Sequence, residues 1–211
     1  MDNQHNIAIT IGRQFGSGGR VIARRLAEML GCTYYDKELL LEAARHSGMS
    51  PDIVERSDER LPRFMAGTFS FAMGCNPYTL YSGPQSIGGE NVNRALGDII
   101  VKAASEGPCV IVGRTADYVL RHHPALVSVF VHAPIEQRIA RIMERGDSLT
   151  QQQARTLAEK TDKLRASYYN FYTDRTWGAA STYHLTVDSS LMPIDETASL
   201  IAEYIRRRFP R

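Results

Sequence analysis

Two groups of residues in this 211-residue chain have the types and spacing for chemistry on phosphates. The first is Gly12-Arg13-Gln14-Phe15-Gly16-Ser17-Gly18-Gly19-Arg20, which directly follows the apolar run IAITI at 7–11. Glycine lets a backbone approach phosphate oxygens closely and take φ values that other residues avoid. A loop between a buried strand and a helix is where backbone N–H groups and the helix N-terminus bind an anion. The standard phosphate loop reads GxxxxGK[ST]. With Gly16-Ser17-Gly18 set on its GSG, Gly19 falls on the lysine and Arg20 on the hydroxyl residue. With one inserted residue, Arg20 falls on the lysine and Val21 on the hydroxyl residue. Either way the usual lysine and the usual Mg²⁺-binding hydroxyl are missing. Arg20 is then the candidate cation, and Ser17 a poor substitute for the metal-binding hydroxyl. Arg13, inside the loop, either reaches a phosphate or pins the loop. The dinucleotide pattern GxGxxG does not fit this spacing.

The second group lies on either side of Gly146-Asp147. Arg138, Arg141 and Arg145 share one helical face; Arg155, Asp162 and Arg165 share a face of the next helix. Planar guanidinium forks suit phosphate, so these helices are candidates for a lid over a triphosphate. The competing reading is two solvated faces with ion pairs at helical spacing. Asp36, at the end of a second strand, either orients Mg²⁺ through water, contacts an acceptor or N-caps the helix that follows. Lys37 is a candidate for acceptor phosphate. The aromatic run Tyr168, Tyr169, Phe171, Tyr172 and Trp177 reads as packing at a helix end or as a base-stacking surface. The six histidines form no ligand-spaced set, and no residue order suggests a covalent nucleophile.

The elements that must position these groups are legible. Apolar runs at 7–11, 109–114 and 125–133, a short strand TYYD at 33–36 and a last strand at 182–190 alternate with helical patterns. Val21, Ile22, Leu26, Met29 and Leu30 mark a first helix with Gly31 as its stop. Others run from Lys37, from about 90 to 105, from Pro134, from Thr150 to Phe171 and through Ile194–Ile205. Apolar strands alternating with helices predict a parallel sheet covered on both faces, a three-layer α/β domain. Residues 61–89 differ: they hold one charge (Arg63) and many Gly, Pro, Ser, Phe, Tyr and Met. They read as a closing flap, a homo-oligomer interface or a disordered stretch.

Composition narrows the classes. Twenty-five basic against 23 acidic residues, a formal +2, gives no reason to expect nucleic acid or a basic membrane anchor. No apolar run approaches a membrane span, and MDNQHNIAITIG does not read as a secretory signal. Cys32, Cys75 and Cys109 form no pair, as expected for reduced thiols in a cytoplasmic protein.

ITIGRQFGSGGRVIARRLAEMLGCTYYDKELL, CVIVGRTADYVL and DKLRASYYNFYT together resemble the cytidylate-kinase-like family, bacterial relatives of the nucleoside monophosphate kinases. The resemblance runs over nearly the whole chain and is weakest at 55–90. It implies a single P-loop kinase domain with a five-stranded parallel sheet, a monophosphate-binding region and a helical LID around 141–165. It implies γ-phosphoryl transfer from ATP, with Mg²⁺, to CMP, dCMP or a similar acceptor. By the same resemblance Gly16, Ser17, Gly18, Gly19 and Arg20 are the phosphate loop. Gly113-Arg114 is the acceptor turn, with Thr115 in place of the family's aspartate and Asp117 as its candidate replacement. Asp162 and Arg165 match DxxR of a segment facing the nucleotides, whose first arginine falls on Ala158; Arg155 is the nearby alternative. Asp188-Ser189-Ser190 resembles the family's end of the last strand. These departures keep two other readings open: a nucleotide-binding regulatory module without turnover, and a kinase of a different small acceptor.

Overall fold

The computed structural model describes residues 6–36, 38–39, 87–145 and 149–210. Its centre is β1 (Ala8–Arg13) in an all-parallel sheet of order β2-β3-β1-β4-β5. The others are β2 (Thr33–Tyr35), β3 (Cys109–Val112), β4 (Leu126–His132) and β5 (Leu185–Asp188). The IAITI run is apolar on both faces because both are covered. Ile9 and Ile11 join one core cluster, and Ala8 joins the other.

On the first face lie α1 (Gly19–Leu30) and, in chain order the last helix, α6 (Ile194–Arg208). They bury Ile22, Leu26, Ile201 and Ile205, each contributing roughly 1.5–3 kcal/mol of transfer free energy. On the second face lie α2 (Ile87–Glu106) and α3 (Ala116–Val119), which bury Ile99, Ile100 and Ala116. The three layers expected from the sequence are therefore present.

Beside the carboxyl ends of the strands stand α4 (Ile135–Met143) and α5 (Gln151–Thr173). Thr150 and Gln153 start α5 with a reciprocal capping box. Ile139, Ile142, Ala154, Leu157 and Ala158 join the two helices, and Phe15 of the glycine loop packs on the same cluster. The helical pair is thus locked to the loop by apolar contact.

Two strand expectations need trimming. The third strand ends at Val112 because Gly113, Arg114 and Thr115 take φ of 75°, 59° and 52°. The last begins only at Leu185, after a 3₁₀ turn at Ala180–Thr182. The helix expected near 90 begins at Ile87. Lys37, Gly146-Asp147 and Cys75 lie outside the described residues, as does the 61–89 segment up to residue 86. Cys32 and Cys109 are free thiols. Among the described residues no helix is long and apolar enough to cross a membrane.

Candidate active site

From β1 the sheet grows in opposite directions, to β3 on one side and β4 on the other. In doubly wound folds the crevice at the carboxyl ends of such strands takes the ligand. The glycine loop occupies that position. Gly16 (φ 80°) and Gly18 (φ 77°) are left-handed, and Gly18 caps α1 without any side-chain hydrogen bond. A Cβ on Gly16 would stand 2.8 Å from Arg138 O, so only glycine passes beneath α4. Among the described residues the N–H groups of Gly16, Gly18, Gly19 and Arg20 meet no backbone carbonyl. These donors, at a helix N-terminus with no side-chain cap, have the placement that an anion cradle requires.

Most of the expected second group holds this loop in place. Arg138, 7 % exposed, donates to Phe15 O (3.1 Å) and to Asp162 Oδ2 (2.5 Å). Asp162 Oδ1 in turn accepts Phe15 N–H at 2.8 Å. Arg141 donates to Ser17 O (3.1 Å), Ser189 Oγ (3.0 Å) and Ser189 O (2.6 Å). Ser189 Oγ donates to Ser17 O at 2.6 Å. Arg141 and Asp162 therefore grip loop backbone. Ser17 is fully buried and its hydroxyl donates to Gln14 O, so the expected metal-binding role of Ser17 does not fit. Burial raises the Asp162 carboxyl above its ordinary range, against the hydrogen bond from Phe15 N–H and the charge of Arg138.

The cations that converge at the strand ends are Arg13, Arg114 and Arg165, with Arg20 at their edge. Burial pulls the Arg13 guanidinium well below its ordinary pKa, and the charges of Arg165, Arg114 and Arg20 push the same way. Arg165 is lowered to about 10 by burial, with Asp162 opposing and Arg138 adding to the shift. Arg165 also donates to Arg13 O at 3.0 Å and lies 5.6 Å above the Phe15 ring. The left-handed turn Gly113-Arg114-Thr115 brings Arg114 to the group, and the Arg13 guanidinium lies against Gly113. Like charges gathered out of water with few opposing carboxylates make a site for an anion.

The remaining candidates are distributed differently. Arg20 places its fork on Asp36 Oδ2 (2.6 Å and 3.2 Å) and reaches Glu38 at 3.2 Å. Asp36 Oδ1 accepts the N–H groups of Glu38 and Leu39, the N-cap alternative of the sequence reading. Burial works to raise Asp36, but the Arg20 hydrogen bond and those N–H groups hold it below the ordinary value. Asp117 is buried and accepts Tyr169 Oη at 2.5 Å; burial raises its carboxyl despite that bond. It ties α3 to α5 and does not stand in for the missing aspartate beside Arg114. Arg155 pairs with Glu136 at 3.0 Å and Glu159 at 3.8 Å, away from the cluster. Arg145 and Val21 are exposed. Among the described residues no three His, Cys, Asp or Glu side chains are grouped to hold a metal ion.

Two hollows flank the loop. One of about 240 Å³ is lined by Arg94, Gly97, Arg114, Tyr118, Tyr168 and Tyr172. Tyr168 and Tyr172 pair there at 4.5 Å, whereas Tyr169 and Trp177 pack on Phe130 and Tyr183. The aromatic run is thus divided between a pocket wall and a core. The other hollow, about 520 Å³, lies at the ends of β4 and β5 between Gln14, His132, Trp177 and Asp188. Its lining carries no arginine or lysine, and hydrogen bonds from Ser190 hold the Asp188 carboxyl below its ordinary value, so it offers phosphate no arginine or lysine. Sequence reasoning missed the loop-holding part of Ser189, whose signal was the SS pair closing the last strand, and of Arg138.

The strand order, the glycine loop opening α1 and the arginines above it define a P-loop kinase fold. Shikimate kinase from Acinetobacter baumannii, in complex with shikimate, shares that fold at a TM-score of 0.52 with 16% identity, over 98% of this chain and 97% of its own. An uncharacterized protein from Eubacterium ventriosum is more similar: TM-score 0.70 and 28% identity over 94% of this chain and 98% of its own. The sequence matches the cytidylate kinase-like family over residues 8–191, and the chain belongs to that family. A cytidylate kinase from Aeropyrum pernix is 32% identical over 197 residues, 92% of this chain and 95% of that protein.

Proposed function

We propose that this chain is a nucleoside monophosphate kinase-type phosphotransferase that moves the γ-phosphoryl of ATP to CMP or dCMP. The glycine cradle takes the donor phosphates and Arg165 the moving phosphoryl. Arg114 takes the acceptor phosphate, with the acceptor base against Tyr168 and Tyr172 in the 240 Å³ hollow. Phosphoryl transfer of this kind relies on positioning and charge stabilisation. The bond from γ-phosphorus to the β–γ bridging oxygen breaks, one to an acceptor phosphate oxygen forms, and ADP leaves.

The observation that carries the choice of acceptor concerns carboxylates. A hydroxyl acceptor needs a base, and kinases of hydroxyl groups place an aspartate there. A phosphate monoester does not, since its second pKa is near 6 and its oxygens are already nucleophilic at neutral pH. Among the described residues the aspartates beside the loop and the acceptor turn are engaged: Asp36 with Arg20 and the Glu38 and Leu39 N–H groups, Asp162 with Arg138 and the Phe15 N–H, Asp117 with Tyr169, Asp188 with Ser190. That arrangement favours a phosphate acceptor over a hydroxyl one. Mg²⁺, which keeps several waters and binds largely through substrate phosphates, would be held by the triphosphate, where it neutralises developing charge.

ADP release from MgATP, followed with a panel of nucleoside monophosphates, tests the reading. Turnover dependent on CMP or dCMP is the expected result. Turnover only with hydroxyl acceptors overturns the acceptor assignment. Tight ATP binding with no turnover for any acceptor favours the regulatory module, whose motivation is the absent Lys-[ST] pair and the inward-turned Ser17.

A further inference from the structure

We infer that Arg13, delivered from the end of β1, is the phosphate-binding cation of this loop and replaces the lysine that the standard pattern carries at the start of the following helix. The inference rests on the reading of the loop as a polyphosphate cradle and assigns the residue that completes it.

The helix α1 starts at Gly19 directly after Gly16-Ser17-Gly18, which leaves no inserted residue and puts Gly19 at the lysine position of GxxxxGK[ST]. A Cβ on Gly19 would lie 2.7 Å from Arg13 Cβ and 3.2 Å from Arg13 Cγ. Real Cβ atoms do not approach so closely, so position 19 is glycine because the Arg13 stem fills the space beside it. One site can carry the cation or the other, but not both.

The Arg13 guanidinium lies against Gly113, where a side chain on residue 113 would collide with it. It therefore spans from the donor loop to the turn that carries Arg114. Among the described residues Arg13 makes no ion pair and no side-chain hydrogen bond, while its main-chain carbonyl is held by Arg165. Arg20, the cation that the sequence favoured, has its fork on Asp36 and Glu38 instead. Arg138 and Arg141 are engaged with loop backbone. Arg13 is left as the loop cation whose fork is uncommitted and which faces other cations. A guanidinium so placed can bind two phosphate oxygens at once, one from the donor and one from the acceptor, which a lysine point charge cannot match.

The test uses the full chain with Arg13→Lys, Arg13→Gly and the exchange Arg13→Gly with Gly19→Lys. The glycine at 13 is needed in the exchange, because a Cβ there would meet the one that Gly19→Lys introduces. Circular dichroism and thermal melts establish that each variant is folded. Calorimetry with inorganic tripolyphosphate then measures the cradle itself, independent of any acceptor, and ADP release gives kcat and KM where the wild type turns over. Arg13→Gly is expected to lose about tenfold or more in tripolyphosphate affinity and about 100-fold in kcat. Arg13→Lys should retain part of the affinity, and the exchange should recover it. Folded Arg13→Gly with wild-type affinity overturns the inference, as does an exchange variant that folds and binds no better than Arg13→Gly. If the wild type binds tripolyphosphate but phosphorylates no acceptor, the proposed function fails while the affinities still decide for or against Arg13. A wild type that binds no tripolyphosphate overturns both.

Discussion

Arg138 and Asp162 look like catalytic residues and behave as masonry for the loop. Their side chains are 8% and 14% exposed and meet at 2.5 Å, with Phe15 O and N–H completing the set. Burial outweighs pairing at Asp162, whose carboxyl is raised, so the pair is costly to bury and serves position more than net stability. Removing one partner strands the other. Arg138→Ala is expected to cost about 3–5 kcal/mol in denaturant unfolding. Asp162→Asn keeps an acceptor for Phe15 N–H but leaves the Arg138 charge buried without its carboxylate, so its loss should be of similar size. A near-neutral Asp162→Asn would contradict this pairing. Neither role was legible in the sequence, because spacing at i, i+3 and i+4 defines a face and not what that face meets. Arg155 shows the other outcome of the same ambiguity: its face meets Glu136 and Glu159.

At the scale of elements, the short helix α3 and the long helix α5 are joined by Asp117 and Tyr169. This tie steadies the turn Gly113-Arg114-Thr115, in which two non-glycine residues hold left-handed φ. Burial raises Asp117 above its ordinary value of 3.8. An acid raised on folding favours the folded state at low pH, and that advantage fades as pH climbs from the ordinary value through the raised one. Asp117→Asn should therefore gain stability relative to wild type as pH rises above the ordinary value of 3.8, visible as a difference in melting temperature that widens with pH. A constant difference would show that Asp117 titrates normally. The elements themselves were well marked in the sequence, since apolar β-branched runs and 3.6-residue stripes depend on local pattern. Their ends were less so: Val112 and Leu185 bound their strands through turn geometry that pattern alone does not encode.

For the whole molecule, the arginine cluster couples ligand binding to protonation. Arg165 is lowered to about 10 and Arg13 is lowered as well, both first by burial. A bound polyphosphate favours their charged forms, so binding above pH 10 must take up a proton. Affinity for MgATP or tripolyphosphate should fall by up to about tenfold per unit as pH rises through about 10, the Arg165 value. Calorimetry across that range checks it, and an unbroken plateau to pH 11 would remove Arg165 from the site. The near-neutral total of +2 conceals this local field entirely. The sequence by itself determined the three-layer parallel sheet, the loop and its glycines, and the family, because strand burial, helix periodicity and backbone freedom are written in neighbouring residues. Tertiary structure alone decided which arginines meet carboxylates and which face other cations. Arg13 and Gly19, Arg20 and Asp36, and Arg138 and Asp162 are paired across turns and helices, and a charge is committed or uncommitted only when the fold has chosen its neighbours.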